Sequence, residues 1–510
     1  MRTLGDSVDP RWRVVPAGKR RLVVAALLLV AGGGVPSVTG TVAQGAVCQY
    51  TSSLGHGWSV LAPPPFTAGP TSTNRYQYYP FFMGNGAIYA AVPGSGQTLL
   101  ATNGTQIMKT TNGGCTWQAT YTFAQGDLGQ DPSALAGSGV DTNPVTGAYE
   151  IQGFATSRYP GSAHTAYAVL AVANSLPAAL ATENTVSPPV VILQSTNDGS
   201  SWQQVNPSPS AAAPAVPRCY APGDPAYGPL RLVAAPSNPN TVYLLCGTNG
   251  HTIDYAATLA TGPSDLSLYE SADGGVSWVQ RTVPTYQANG VPLQALAVDP
   301  GNDGRVWLAT NLSSVPGSTA NLQIPTLWFS SDSGQHWTAK ATGGTVFVRG
   351  DPKNPQSVSL TGEFGVDLSK TSHVALARGA NGVLRTTDRG VHWQTVATTS
   401  ASGVVAAHSI YVPNGDLYVV RDFGVPPGYA GPTYCTNTSC SWEQMFRIRG
   451  SKTTAIPSPG RAISDFYGLQ SAGGSNAAIY GYALMKTTPS GLDHFGSASN
   501  RAVFLSWTGG

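Results

Sequence analysis

The residues in this chain best suited to chemistry are carboxylates that stand beside aromatic rings and cations in its last third. Arg421-Asp422-Phe423 leads into a stretch rich in Pro, Gly and Tyr that carries Tyr429 and Tyr434. Asp465-Phe466-Tyr467 and Asp493-His494 follow, and Glu363 and His251-Thr252-Ile253-Asp254-Tyr255 come earlier. Two carboxyl groups about 5 to 9.5 Å apart can cleave a glycosidic bond, one as acid and the other as nucleophile or base. Rings beside them suit the faces of sugars, but Tyr and Arg are also the favoured anchors of protein interfaces. The catalytic candidates are therefore Asp422, Asp465, Asp493 and Glu363, and the ligand-contact candidates Arg421, Tyr429, Tyr467, His494, His251 and Tyr255. Residue type alone selects none of them, since an acid or a histidine in a long polar loop is ordinarily just solvated. No Gly-x-Ser-x-Gly stands in a strand-to-helix setting, and no Cys-x-x-Cys occurs, so neither a nucleophilic serine nor a zinc site is expected.

The elements that must position these residues are announced by tryptophan. Seven of the eleven tryptophans end one eight-residue motif, Ser/Thr-x-Asp/Asn-x-Gly-x-(Ser/Thr/His)-Trp. Clear copies end at Trp117, Trp202, Trp278, Trp337 and Trp393, with Asn112, Asn197, Asp273, Asp332 and Asp388 at the third position. A degenerate copy runs Cys435 to Trp442, with Asn437 at the third position and Ser439 in place of glycine. Ser506 to Gly510 reads as the front of a seventh copy and His56-Gly57-Trp58 as its back. A repeat shared between the two ends is what a closed ring requires. The third-position side chain is expected to bond backbone N–H groups two residues on, the glycine to supply positive φ, and the tryptophan to wedge between neighbouring repeats.

Between copies, short β-branched and aromatic runs alternate with turn residues, the pattern of antiparallel four-stranded blades. In the third repeat, strands are expected over Leu230–Ala235, Thr241–Cys246 and Leu266–Glu270, with Trp278 opening the fourth. In the next repeat they are expected over Leu293–Val298, Arg305–Thr310 and Thr326–Phe329. The a–b turns are short, as at Ser237-Asn238-Pro239-Asn240 and Gly301-Asn302-Asp303-Gly304, with others at Lys353-Asn354-Pro355-Gln356 and Asn414-Gly415. They share an edge with the tryptophan motifs. Motif tryptophans are spaced more widely than the roughly 40–45 residues of a minimal blade. The surplus, in stretches such as Asn311–Pro325, Gly362–Gly382 and Phe423–Tyr434, therefore collects on the opposite edge, where function usually sits.

Charged residues are only 10% of the 510 and net charge is +2, which leaves no basic stripe for nucleic acid. Arg11, Arg13 and Lys19-Arg20-Arg21 precede an apolar run from Leu22 to Val35 and a small-residue cleavage site at Thr41-Val42-Ala43. Residues 1–43 read as a signal peptide, an uncleaved anchor being the alternative, and the run is shorter than the roughly 20 residues of a membrane span. Six cysteines follow it, an even number in an export setting, which implies disulfides. Cys435 and Cys440 flank one motif, and Cys219 and Cys246 fall near the outer ends of consecutive strands. That leaves Cys48 and Cys115, near the ring closure.

The motif resembles the Asp-box, or bacterial neuraminidase repeat, over nearly the whole chain beyond residue 43. That repeat is found in sialidases, xyloglucanase-type glycoside hydrolases, sortilin-type receptors and photosystem II assembly propellers. The resemblance implies scaffold more than function. Sialidases are six-bladed and carry an early Arg-Ile-Pro, which is absent here; the nearest string is Phe446-Arg447-Ile448-Arg449, expected in a fourth strand. Xyloglucanase-type enzymes are similar to two seven-bladed propellers clasping a cleft, of which this chain would supply one. The assembly propellers match the blade count.

The expectation is thus an all-β protein: residues 44–510 form a seven-bladed Asp-box β-propeller, closed by an N-terminal strand at Trp58–Leu61 that completes the last blade. It is exported and monomeric, takes no cofactor or metal, and binds an extracellular glycan or protein through its long-loop edge. The alternative is a sialidase-like or other glycoside hydrolase acting on extracellular glycans.

Overall fold

A computed structural model describes residues 52–61, 64–67, 88–92, 97–123, 149–157, 165–172, 190–206, 217, 231–247, 266–283, 295–299, 301–313, 322–340, 347–348, 365–366, 375–379, 382–389, 391–392, 394–398, 407–411, 416–422, 443–450, 452–457, 463–471, 478–486 and 500–507. These are all-β, with no helix among them. The chain first forms the hairpin β1 (Ser52–Gly55) and β2 (Trp58–Val60). The first full sheet is β3 (Ile88–Ala91), β4 (Leu99–Thr102), β5 (Gln106–Thr110) and β6 (Gln118–Thr122). The second is β7 (Tyr149–Thr156), β8 (Ala166–Val172), β9 (Val191–Ser195) and β10 (Gln203–Gln204). The third is β11 (Arg231–Ala234), β12 (Val242–Gly247), β13 (Leu266–Ser271) and β14 (Val279–Arg281). The fourth is β15 (Ala295–Val298), β16 (Val306–Ser313), β17 (Leu322–Ser330) and β18 (Thr338–Lys340), with β19 (Phe347–Val348) added to β17. The fifth is β20 (Gly365–Val366), β21 (Ala375–Gly379), β22 (Gly382–Thr386) and β23 (Gln394–Thr398). The sixth is β24 (Ala407–Tyr411), β25 (Leu417–Asp422), β26 (Glu443–Arg449) and β27 (Lys452–Ala455). The last is β28 (Ile463–Ser471), β29 (Ile479–Lys486) and β30 (Asn500–Trp507), to which β2 and then β1 are added, with Trp58 opposite Trp507.

Burial follows strand position. Middle strands are buried, β4 throughout and β8 from Ala166 to Ala171, while the outer strands β6 and β10 are largely exposed. A strand buried on both faces reads as a continuous apolar run, which is what Ala166–Val172 is. The period of two then divides its side chains between two neighbours. Tyr167, Val169 and Ala171 pack with Leu232, Val242, Leu244 and Trp278 of the third sheet. Ala168 and Leu170 pack with Ile107 and Phe123 of the first. Tyr243, Leu245 and Leu268 pack with Val298, Val306 and Leu308, joining third to fourth. Tyr89, Leu99 and Ala101 pack with Leu61, Ala478 and Tyr480, joining first to last.

Four expectations are corrected. Gly362–Gly382 is not a connecting loop, because β20 and β21 lie within it and the β21–β22 ladder runs up to the pair Gly379–Gly382. Gly379 and Gly382 close this ladder at short range, where a long connection was expected. In the fourth sheet, β16 and β17 extend into Asn311–Pro325 with Ser313 opposite Gln323, so much of that surplus is ladder. In the sixth sheet, Phe446 to Arg449 lie in the third strand, because β26 pairs with both β25 and β27. The hairpin at Gly450 (φ 58°) replaces the eight-residue turn there, and the copy at Cys435–Trp442 precedes the third strand instead of following it. Finally, His56 (φ 53°) and Gly57 (φ 81°) form the two-residue turn between β1 and β2, giving the last sheet a fifth strand.

Candidate functional site

The motif carboxylates are occupied by their own turns. Ser271 donates its hydroxyl to Asp273 Oδ1 at 2.8 Å and accepts the Gly275 amide at 2.8 Å. Asp273 Oδ1 accepts the Ser277 amide at 2.9 Å, and Oδ2 the Ser277 hydroxyl at 2.5 Å. The same pattern recurs at Thr110/Asn112, Ser195/Asn197, Ser330/Asp332 and Thr386/Asp388. The reach of the third-position side chain is therefore four residues, not two. The shorter bond, from the third-position amide, is taken by the hydroxyl of the first.

These bonds set the charge. The His336 amide and ring hold the Asp332 carboxyl down at about 2, and those of His392 hold Asp388 well below the usual range. Burial pushes Asp273 up, but the Ser277 hydroxyl and amide and the Ser271 hydroxyl outweigh it. A carboxylate held ionised by three donors is a poor proton carrier at neutral pH. Because the folded value lies below the unfolded one, the stabilisation is full above about pH 4 and is lost as pH falls towards 2. Urea melts of the wild type should weaken across that window, and Asp332→Asn should flatten the decline; an equal decline in the variant would contradict this assignment.

The motif tryptophans join sheets. Trp202 Nε1 donates to Thr120 Oγ1 of the first sheet at 3.2 Å, Trp337 Nε1 to the Thr282 carbonyl just past the third sheet at 2.8 Å, and Trp58 Nε1 to the Pro457 carbonyl just past the sixth at 2.7 Å. Trp278 bonds the Gly275 carbonyl of its own turn, and Trp117 Nε1 is buried without a partner. Tyrosines brace the same edge: Tyr167 donates to the Pro239 carbonyl and Tyr243 to the Asp303 carbonyl, each at 2.7 Å. In the first, third and fourth sheets the a–b turn meets the motif of its own sheet, through Gly113 to Gln97, Gly274 to Asn240 and Ser333 to Gly304. Architecture fills this edge.

The chemical candidates gather elsewhere. The a–b turn places the start of β25 on the motif edge, so Arg421 and Asp422 end that strand at the opposite edge. β24, paired to β25, lies beside β28, whose second residue pair is Asp465 with Leu484. Arg421, Asp422 and Asp465 thus share one edge of two adjacent sheets, and Tyr467, paired with Tyr482, follows two residues along. Glu443 was not anticipated. It stands opposite Asp422 in the last pair of the β25–β26 ladder, and its only sequence signal is its place directly after Trp442. Glu363, Asp493, His494, Tyr429, His251, Tyr255, Asn437, Trp393 and Trp442 lie outside the described residues. Among the described residues no three His, Cys, Asp or Glu converge to hold a metal, and no helix is long and apolar enough to cross a membrane.

The class defined so far is an all-β protein of four-stranded antiparallel sheets packed in series. No protein-family model matches the chain. It is similar to a xyloglucanase of Paenibacillus sp, 27% identical over 256 residues, which is 46% of this chain and 22% of that protein. It is also similar to xyloglucanase Xgh74A of Acetivibrio thermocellus, 25% identical over 210 residues, 38% of this chain and 22% of that protein. The matched stretch thus spans little more than a fifth of these relatives. Among solved structures, YCF48 bound to D1 peptide aligns over 86% of this chain and 100% of that one at 11% identity and a TM-score of 0.40. An ancestral GH74 enzyme aligns over 82% and 56% at 14% identity and 0.38. The sequence similarity sits closer to the hydrolase alternative than to a purely binding role.

Proposed function

We propose that this chain is a seven-bladed Asp-box propeller of glycoside-hydrolase type, acting on an extracellular polysaccharide of the xyloglucan class. The similarity to two xyloglucanases carries this reading. The ring is supported by the packing of first against last sheet and by the pairing of β2 with β30. Substrate lies along the edge opposite the clear tryptophan turns, where Arg421, Asp422 and Asp465 end or begin their strands; Tyr467 supplies a ring, and Asp493 and Glu363 are further carboxylate candidates. One carboxyl group donates a proton to the leaving oxygen while the second attacks or activates water. Residues 1–43 direct export, and the product is a secreted monomer. A second reading is recognition of the polysaccharide without cleavage, through the same edge.

The test is incubation of purified residues 44–510 with xyloglucan, other β-glucans and sialosides, measuring released reducing sugar and binding together. Turnover of xyloglucan is expected, reduced about 10²-fold or more by Asp422→Asn or Asp465→Asn. Binding without turnover replaces hydrolysis with recognition. Neither binding nor turnover on any sugar removes both readings in favour of a protein partner.

A further inference from the structure

We infer that the joint between the last and first sheets is a covalent latch, made by a disulfide between Cys115 and Cys48. Cys115 is disulfide-bonded, and no described cysteine is free. The first sheet and its turns span residues 88–122 and contain no other cysteine, so this bond must leave the sheet. Its direction is set by the neighbouring residues. A Cβ on Gly114 would meet Leu61 at 3.3 Å, and one on Gly113 would meet Tyr480 Oη at 4.0 Å. Both belong to the last sheet or to the chain leaving it. Trp117, two residues on, packs with Leu61, Phe66, Ala478 and Tyr480 of the same joint.

The cysteines other than Cys48 belong to the second, third and sixth sheets or the chain between their strands, not to the last sheet that Gly113, Gly114 and Trp117 face. Cys246 is the penultimate residue of β12 in the third sheet, near the edge opposite the tryptophan turns. Cys219 follows Pro217, whose carbonyl accepts the Val190 amide at that same opposite edge of the second sheet. Cys435 and Cys440 fall in sequence between Asp422 and Glu443, which are paired in the sixth sheet. Cys48 is four residues before β1, the strand attached to β2. Four extended residues cover up to about 14 Å, enough to return past a strand as short as β1 or β2.

A latch here has a physical reason. The joints at Trp202, Trp337 and Trp58 each carry an indole hydrogen bond to the preceding sheet or the chain just beyond it, whereas Trp117 Nε1 is buried and unbonded. Among the described motif tryptophans only Trp117 leaves its indole N–H unbonded, since that of Trp278 is used within its own turn, and the cross-link falls beside Trp117. Forming it removes two protons and two electrons from the thiols, which pass by thiol–disulfide exchange to an oxidised dithiol carrier; a dithiol reductant returns them and restores both thiols.

Peptide mapping of the unreduced chain by mass spectrometry, followed by hydrogen exchange with and without a dithiol reductant, tests the latch. The expected map joins the Cys48 and Cys115 peptides. Reduction is then expected to speed amide exchange in β2, β3 and β30 by about tenfold or more, with β8, β9, β12 and β13 little changed. Cys115 joined to any other cysteine overturns the proposal, as does a Cys48–Cys115 bond whose reduction leaves exchange at the joint unchanged. Cys115→Ser, if it folds, should show the reduced pattern without reductant.

Discussion

Trp58→Ala is expected to destabilise the whole 48–510 unit by about 3–5 kcal/mol, not to fray its N-terminus. Trp58 is 2% exposed, lies on a strand of only three residues, and bonds the Pro457 carbonyl across 399 residues of sequence. Its strand is held between β30 and β1, and Trp507 Nε1 donates to the His56 carbonyl at 3.2 Å. Trp507 in turn meets Tyr418 of the sixth sheet edge-on, with ring centroids 5.9 Å apart. Removing the indole leaves a cavity between two sheets and takes the hydrogen bond from the Pro457 carbonyl. A loss of this size is a large share of the 5–15 kcal/mol that ordinarily separates folded from unfolded protein. Deleting residues 44–62 should go further, since it exposes the open edge of β30. Denaturant melts followed by two probes provide the check: a single transition at lower denaturant is expected, and a Trp58→Ala variant within 1 kcal/mol of wild type would refute the closing role of this strand.

The second large effect is expected at Gly199. Its φ of +76° is strained for any side chain, and a Cβ there would stand 2.4 Å from Leu100 Cδ2 and 3.3 Å from Trp202 Cζ2. Leu100 is fully buried in the first sheet, so it has little room to move. The left-handed backbone costs alanine roughly 1–2 kcal/mol and the overpacking roughly 1–3 more. Gly199→Ala should therefore lose about 3 kcal/mol. Gly450 is the control, with a φ of +58° and nothing within 4 Å of a Cβ, so Gly450→Ala should lose only about 1–2 kcal/mol. Equal losses at both positions would mean that backbone conformation alone demands glycine and that the sheets are not in close contact at Gly199. The same close approach recurs at Gly275 against Ile192 and at Gly334 against Leu268, each at 3.0 Å.

The third sheet shows how far local sequence reaches. Its strands fall within a residue or so of the expected bounds, because turn residues and alternating apolar runs act over a few positions. The fifth and sixth sheets show where this stops. Ladders closed by the pair Gly379–Gly382 and by the turn at Gly450 redirect the strands, and repeat spacing cannot anticipate which of two turn signals will close a ladder. The candidate site was legible only as residue types. That Arg421, Asp422 and Asp465 share an edge follows from the direction of β25 and the adjacency of β24 to β28, and Glu443 joins them only through register.

The sequence by itself determined the repeated turn. Every hydrogen bond of the Ser271–Asp273–Gly275–Ser277 network closes within a few residues, so residue types at fixed spacing suffice to specify it. Only the tertiary structure decided what the ends of that turn touch. Trp58 finds Pro457, Trp202 finds Thr120, and Gly199 meets Leu100, because sheets distant in the chain are pressed face to face. Those partners are chosen by the packing of whole buried faces, a property of all the strands together that no single motif encodes.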